Sequence, residues 1–370
     1  MIDETRIVDE FMGLLKIDSE SRTEREIADK LKERLEKLGL EVREDDIAKE
    51  VEGNTGNIIA KLEGNNSEVP TLFLSAHMDT VKPGKGVKPI IKDDTIYSAG
   101  DTILGADDKA GIAAILASLE YLIENDSVYG DVEVVFTVCE EVGLLGAKNL
   151  AIDKLEADLG IVYDSGGEIG TIIAEAPAQD KINVIVNGKS AHAGIEPDKG
   201  INAIKVASIA LSNMNLGRVD EETTANIGVI KGGKATNIVP DRVELEGEAR
   251  SRDEEKLNAQ TQHMVDIFEK SAKKFNAKVE IEVERLFPAF KLDKNSPIVK
   301  AAIKAAKDLN VEPKLVPTGG GSDANIFNVE IPTINLGIGM ADVHTTDEHI
   351  KINDLIKTAE YTLTIIEKLN

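Results

Sequence analysis

The chain predicts an α/β protein, a mixed-sheet domain interrupted by an inserted βαββαβ unit. Three observations predict it. Apolar, strand-like runs alternate with helical segments from about Val51 to Asp164, and the alternation resumes after Pro288. Four of those runs end at residue types that bind metal, and the stretch between them carries a strand and helix order complete in itself. The 370 residues, 42% of them hydrophobic, exceed what one core usually spans, so two domains are expected.

Taken in order, Ser21 to Glu24 reads as an S-x-x-E capping box before an amphipathic helix that stops near Gly39, giving a pair of helices ahead of the sheet. Strands follow between about Val51 and Val81, split by the polar GNNSE segment. The run TLFLSA ends at His77 and continues to Asp79, two residues on and therefore on the same strand face. After the GDTILGADDK loop, Ile112, Ile115, Leu116, Leu119 and Leu122 give helical spacing over Lys109 to Glu124. VEVVFTVC then ends at Glu140 and Glu141, and DLGIVY at Asp164. From Asp180 to about Phe290 come the strand KINVIVNG, a helix from Ile201 to Met214, the strands TANIGVIKG and RVELEGEAR, a helix from Glu254 to Phe275 and the strand VEIEVERL. That is the ferredoxin-like split order. Beyond it lie a helix from Ser296 to Leu309, a turn at Gly319 to Gly321, the run PTINLGIG leading on to His344, and a C-terminal helix. The expected boundaries are residues 1–177 with 291–370 for the discontinuous sheet domain and 178–290 for the insert.

The 67 acidic and 43 basic residues give a formal charge of −24, which argues against nucleic-acid and anionic-membrane partners. A lone cysteine, Cys139, excludes an internal disulfide framework, and the first residues are amphipathic without an apolar secretory core, so a cytoplasmic protein is expected. The apolar runs fall short of the roughly 18 residues of a membrane span.

In open α/β sheets ligands bind beyond the carboxyl ends of the strands, so residues closing these runs are expected along one rim. His77, Asp107, Glu141, Asp164 and His344 supply N and O donors of the kind zinc accepts, and cobalt or manganese would also suit them. Two ions sharing so few donors need a bridging carboxylate, for which Asp107 is the candidate. Asp79 is expected to accept the second ring N–H of His77. Glu140, beside a ligand, is expected to act as general base toward an attacking water and then to protonate the leaving amine. Singly, a His-x-Asp, an acidic pair or a capping glutamate is ordinary surface chemistry; the joint placement at strand ends carries the reading of a two-metal hydrolase.

The segments SAHMDTV, GADDKAG, CEEVGLLGAKNL, YDSGG, SAHAG, ATNIVPD and HTTDEH resemble, in order and spacing across the chain, the co-catalytic zinc aminoacylase and carboxypeptidase family. That family includes peptidase T, glutamate carboxypeptidase and succinyl-diaminopimelate desuccinylase, and TILGADDKAGIA looks closest to the peptidase T branch. The resemblance implies a zinc-peptidase-like catalytic domain with a lid that also forms a homodimer contact. It implies His77 and Asp164 on one ion, Glu141 and His344 on the other, Asp107 between them, and Asp108 in a variable following position. Glu140 matches the catalytic base and Asp79 the residue that holds the first histidine. His192 would reach the substrate carbonyl, Asn237 would assist it, and Arg250 would bind substrate. The implied activity is tripeptide aminopeptidase action on short peptides with two zinc ions. Thr318 to Asp323 departs from the peptidase T pattern, which carries an arginine before its Gly-Gly-Thr-Asp turn. Dipeptidase, carboxypeptidase and N-acyl amino acid amidohydrolase activity are therefore rival expectations, and a catalytically silent metal-binding dimer is a remote one.

Other candidates carry plainer readings. Cys139 closes an apolar strand and is expected to pack as a buried hydrophobe. TGGGSD lacks the phosphate-loop pattern and its lysine and reads as a tight turn. His263 is expected to be exposed on the long helix of the insert, and His349 to serve local structure.

Overall fold

Four strands lie side by side and parallel in the order Val132–Thr137, Leu72–His77, Leu159–Ser165 and Thr333–Gly337. They form the centre of a computed structural model that describes residues 2–125 and 127–370. Among the described residues they belong to a nine-stranded mixed sheet. Ile58–Leu62 and Glu41–Glu44 extend it antiparallel on one side, and Thr171–Ala176 pairs antiparallel with Thr333–Gly337 on the other. Helices on both faces explain why these parallel strands read as continuous apolar runs. Every residue of Leu72–His77 and Val132–Thr137 is buried. Each fully buried Leu, Ile or Phe side chain contributes roughly 1.5–3 kcal/mol.

The chain divides into two compact units, one running through Ala174 and including Lys291–Pro317 and Ser322–Asn370, the other comprising Glu175–Phe290 with Thr318–Gly321. Each has its own apolar core. In the first unit the helix Ala106–Glu124 is buried almost all round, with Glu4–Leu15 and Ile352–Leu369 packed against it. Two residues at its start, Asp107 and Asp108, are non-helical, and the peptide bond between them is cis. Arg25–Lys37 ends as expected: Gly39 adopts φ +87°, and Leu40 N–H returns to the Leu35 carbonyl. Its beginning differs from the expectation. The Ser21–Glu24 capping box does not form: no side chain of Glu24 caps the helix, the Arg25 N–H bonds Asn54 Oδ1 at 3.0 Å, and the Ser21 hydroxyl turns inward instead. A buried carboxylate is a stronger partner than an exposed helix N–H, and Asp79 supplies one. A small three-stranded sheet of Pro89–Lys92, Thr95–Ser98 and His349–Lys351 was not foreseen, and in it His349 stacks on Tyr97 with ring centroids 5.2 Å apart.

The second unit is a five-stranded antiparallel sheet in the order Gly217–Arg218, Thr223–Gly232, Arg242–Ser251, Ala178–Asn187 and Lys278–Phe287. Its βαββαβ sequence threaded in this order is the ferredoxin-like arrangement. Helices Ala203–Ser212 and Glu254–Lys274 pack on the face presenting Ile182, Val184, Val186, Val243 and Leu245, and Asp253 caps the longer helix through the Glu255 and Lys256 N–H groups. His263 lies on that helix and accepts the Asn215 N–H. Among the described residues no helix is long and apolar enough to cross a membrane.

Candidate metal centre

The parallel block brings the chemistry to one rim because His77, Glu140, Glu141 and Asp164 all sit at or just past the carboxyl ends of adjacent strands. His77 is the last residue of its strand and is 2% exposed. Its Nδ1 lies 2.9 Å from the Asp79 main-chain oxygen, and because a carbonyl can only accept, Nδ1 carries the proton and Nε2 is left as the donor to a metal. The Asp79 carboxylate was expected in that position and is instead 3.6 Å from the ring. Its oxygens are engaged elsewhere: Oδ1 accepts the Glu140 N–H at 2.9 Å, while Oδ2 accepts the Glu141 N–H at 3.3 Å and the Ser21 hydroxyl at 2.6 Å. Asp79 thus holds the acidic turn, and the nearer carbonyl orients the ring.

Asp107 stands between the two histidines. Its Oδ1 is 3.0 Å from His77 Nε2 and its Oδ2 is 3.2 Å from His344 Nε2, which is also 2.9 Å from Glu141 Oε1. Ligand atoms of His77, Asp107 and Glu141 lie within 4.8 Å of one another, and so do those of His77, Glu140 and Asp164. The structure therefore gathers all five expected ligands together with Glu140. Asp108, which follows Asp107, is fully buried, and its Oδ1 accepts the Gly111 N–H at 3.2 Å. Gly111 is needed there, since a Cβ would lie 2.4 Å from Asp108 Oδ1 and 2.6 Å from Tyr163 Cβ.

The electrostatics are those of a site short of positive charge. Burial first, then the charge of Asp164, holds Glu140 well above the usual carboxylate range; burial and then Asp107 do the same to Asp164. Against the upward push of burial, hydrogen bonds with His344 and His77 keep Asp107 below that range. Those contacts with Asp107 and Glu141 raise His344 to about 10. The imidazolium groups supply what divalent cations would, and Glu141 Oε1, buried at the rim, has no aligned donor. A buried, acid-rich set of imidazole and carboxylate donors fits Zn, Co or Mn.

Residues that sequence reasoning missed support the ligands. Glu348, 1% exposed, accepts the Leu104 and Gly105 N–H groups at 2.8 Å each and the Asp107 N–H at 3.0 Å, fixing the loop that carries the central aspartate. Asn335 accepts the Asp164 N–H at 3.0 Å and donates to the Asp164 carbonyl at 2.7 Å. Asp323 is buried, accepts the Thr137 hydroxyl at 2.6 Å, and is pushed up to about 6 by burial. The HTTDEH spacing held the signal for Glu348; nothing local marks Asn335. Cys139 is fully buried, and burial raises its thiol.

In the second unit His192 and Asn237 are neighbours: His192 pairs with Ile238 in an isolated bridge, and the Ala193 N–H bonds the Asn237 carbonyl at 2.9 Å. His192 Nδ1 accepts the Gly194 and Ile195 N–H groups at 3.2 Å each, so the proton resides on Nε2 and the exposed ring offers a donor. Arg250 is forked onto Glu248 at 3.1 and 3.0 Å and reaches the Gly319 carbonyl at 3.4 Å.

Comparison with known proteins agrees with this geometry. A tripeptidase from Staphylococcus aureus superimposes with a TM-score of 0.97 at 45% identity, covering 100% of this chain and 99% of that one. The aminopeptidase PepT from Bacillus cereus gives a TM-score of 0.94 at 44% identity, covering 100% and 99%. Peptidase T of Clostridium botulinum is 30% identical, over 98% of this chain and 98% of its own. The model of peptidase family M20/M25/M40 matches residues 73–368, and the chain belongs to that family.

Proposed function

We propose that the protein is a two-metal peptidase that releases the amino-terminal residue of short peptides, tripeptides above all, as a peptidase T-like enzyme. The observation that carries the reading is Asp107, whose two oxygens each face a different histidine at 3.0 and 3.2 Å, as a carboxylate shared between two cations must. His77 and Asp164 would hold one ion, Glu141 and His344 the other, with zinc the favoured metal. When bound, such ions polarise the scissile carbonyl and lower the pKa of water toward about 7.

The side chains divide the remaining tasks. Glu140, 8% exposed, takes the proton of the attacking water on a carboxylate oxygen and returns it to the leaving amine. Asp79 fixes the backbone from which Glu140 projects. His192 Nε2–H and Asn237 donate to the developing oxyanion, each such bond being stronger toward the transition state than toward the planar carbonyl. Arg250 would bind substrate. A homodimer formed through that unit and a cytoplasmic location complete the proposal, consistent with an acidic chain that has a single cysteine.

One experiment tests both the reaction and the end that is recognised. Metal-loaded protein is given matched tripeptides with both ends free, with the amino end blocked, or with the carboxyl end amidated. Turnover lost only on amino blocking supports the proposal. Turnover lost only on amidation would replace it with carboxypeptidase action. Cleavage of N-acyl amino acids alone would make the protein an amidohydrolase.

A further inference from the structure

We propose that Ser21 and Glu24 are positioning residues of the metal centre, setting the turn Cys139–Glu141 and through it the aim of Glu140 and Glu141. The proposal rests on the two-metal reading of that turn. The segment reaches the site by its backbone: Ser21 N–H bonds the Thr80 carbonyl, Thr80 N–H bonds the Ser19 carbonyl, and Glu20 pairs with Thr80 in a parallel bridge directly beyond Asp79. Arg22 takes a left-handed conformation, φ +76°, and the Thr23 N–H and hydroxyl both close onto the Glu20 carbonyl. That tight turn sends Arg22 out to Glu52 at the surface and Ser21 and Glu24 inward.

Inside, three consecutive main-chain N–H groups meet two buried carboxylates. Cys139 is itself left-handed, φ +54°, a conformation that an L residue keeps only when its surroundings enforce it. The result is a concave row of N–H groups of the kind that binds anions. Glu140 and Glu141 N–H go to Asp79, and Cys139 N–H goes to Glu24 Oε1 at 3.1 Å, with Cys139 Sγ 3.3 Å from the same oxygen. Ser21 holds Asp79 through its 2.6 Å hydroxyl contact with Oδ2, the oxygen that also accepts the Glu141 N–H. Glu24 is 0% exposed, so nothing in solvent competes for it. A helix cap does not account for either residue, because neither contacts a helix N–H. A base and a ligand on adjacent residues need the turn fixed to a fraction of an ångström, and these two side chains complete its anchorage.

The test compares S21A, S21T, E24A and E24Q with wild type and with E26Q, an exposed neighbour, in cobalt-loaded protein. Cobalt affinity by chelator competition and the visible Co(II) spectrum are read alongside kcat and KM on a free tripeptide. S21A and E24A are expected to shift the spectrum, weaken cobalt uptake about 10–100-fold and lower kcat by a similar factor with KM within about twofold. S21T, which keeps the hydroxyl, and E24Q, which keeps the acceptor, should recover most of the loss, and E26Q should match wild type. A wild-type spectrum and affinity in S21A and E24A would overturn the proposal, whatever their melting temperatures. If E24A does not fold, the contrast between S21A and S21T decides alone. A wild-type protein that binds cobalt yet hydrolyses no peptide would refute the peptidase reading while leaving the spectral comparison intact.

Discussion

Replacing Glu348 by Gln tests whether the loop bearing Asp107 is held from behind. The Glu348 carboxylate serves three main-chain N–H groups, two on Oε2 and one on Oε1, and is 1% exposed. In Glu348→Gln the amide oxygen can keep the Leu104 and Gly105 donors, but the NH2 group then faces the Asp107 N–H, donor against donor. One buried N–H is stranded at about 1–3 kcal/mol, and the two surviving bonds lose their charge assistance, so a total near 2–4 kcal/mol is expected. Urea denaturation of metal-free protein measures that loss. Because Asp107 hangs from this loop, metal affinity measured by chelator competition should also fall about 10–100-fold. An unchanged urea midpoint would refute the energetic argument, and a lowered midpoint with wild-type metal affinity would refute the link from Glu348 to the metal centre.

Glu140→Gln should retain its metal by elemental analysis while kcat falls about 10²–10⁴-fold; near-normal turnover would remove Glu140 from proton transfer. Asp107→Asn leaves one good acceptor oxygen where two are needed, so metal content should drop from about two ions to about one per chain, and an unaltered content would count against a shared carboxylate. Gly111→Ala places a Cβ 2.4 Å from Asp108 Oδ1 and should cost about 1–3 kcal/mol in denaturant melts; a neutral result would mean the helix can move off the strand. Burial first raises Glu140 and Asp164, and hydrogen bonds raise His344 to about 10, so the metal-free fold binds more protons than the unfolded chain. Their contribution is fully present below the unfolded values and is lost as pH rises through the folded ones, so stripped protein should melt higher as pH falls from about 8 to about 6. Lys109, lowered to about 8 by burial, loses its proton in the fold only toward the top of that window and opposes the trend weakly there; the opposite slope would refute the assignment.

The parallel core was legible because strands buried on both faces are written as unbroken apolar runs, and each run ends at or leads on to an imidazole or carboxylate side chain. His77, Glu141, Asp164 and His344 could be picked out one by one for that reason. Ser21–Glu24 was misread because a capping box is a local pattern, and the same spacing that suits a helix end also suits a turn delivering two side chains to a buried target. Asp79 was given the wrong partner because strand-face geometry places it near the His77 ring but says nothing of the amides of Glu140 and Glu141, which arrive from sixty residues away. The hairpin Pro89–Ser98 left no mark: its first strand is largely exposed and too short to show alternation. Asn335 sits within an apolar run, where a single amide looks like an interruption and not a clasp for Asp164.

The order of the chain has a consequence for its own manufacture. His77, Asp107, Glu140, Glu141 and Asp164 all precede the second unit, whereas the strand Thr333–Gly337 and His344 follow it. A ribosome therefore finishes the acidic half of the centre long before it makes the imidazole that closes it, and the closing strand must still slot in beside Leu159–Ser165. Asp107 therefore meets the second of its two histidines only after Thr333–Gly337 has joined the sheet and the chain has run on to His344.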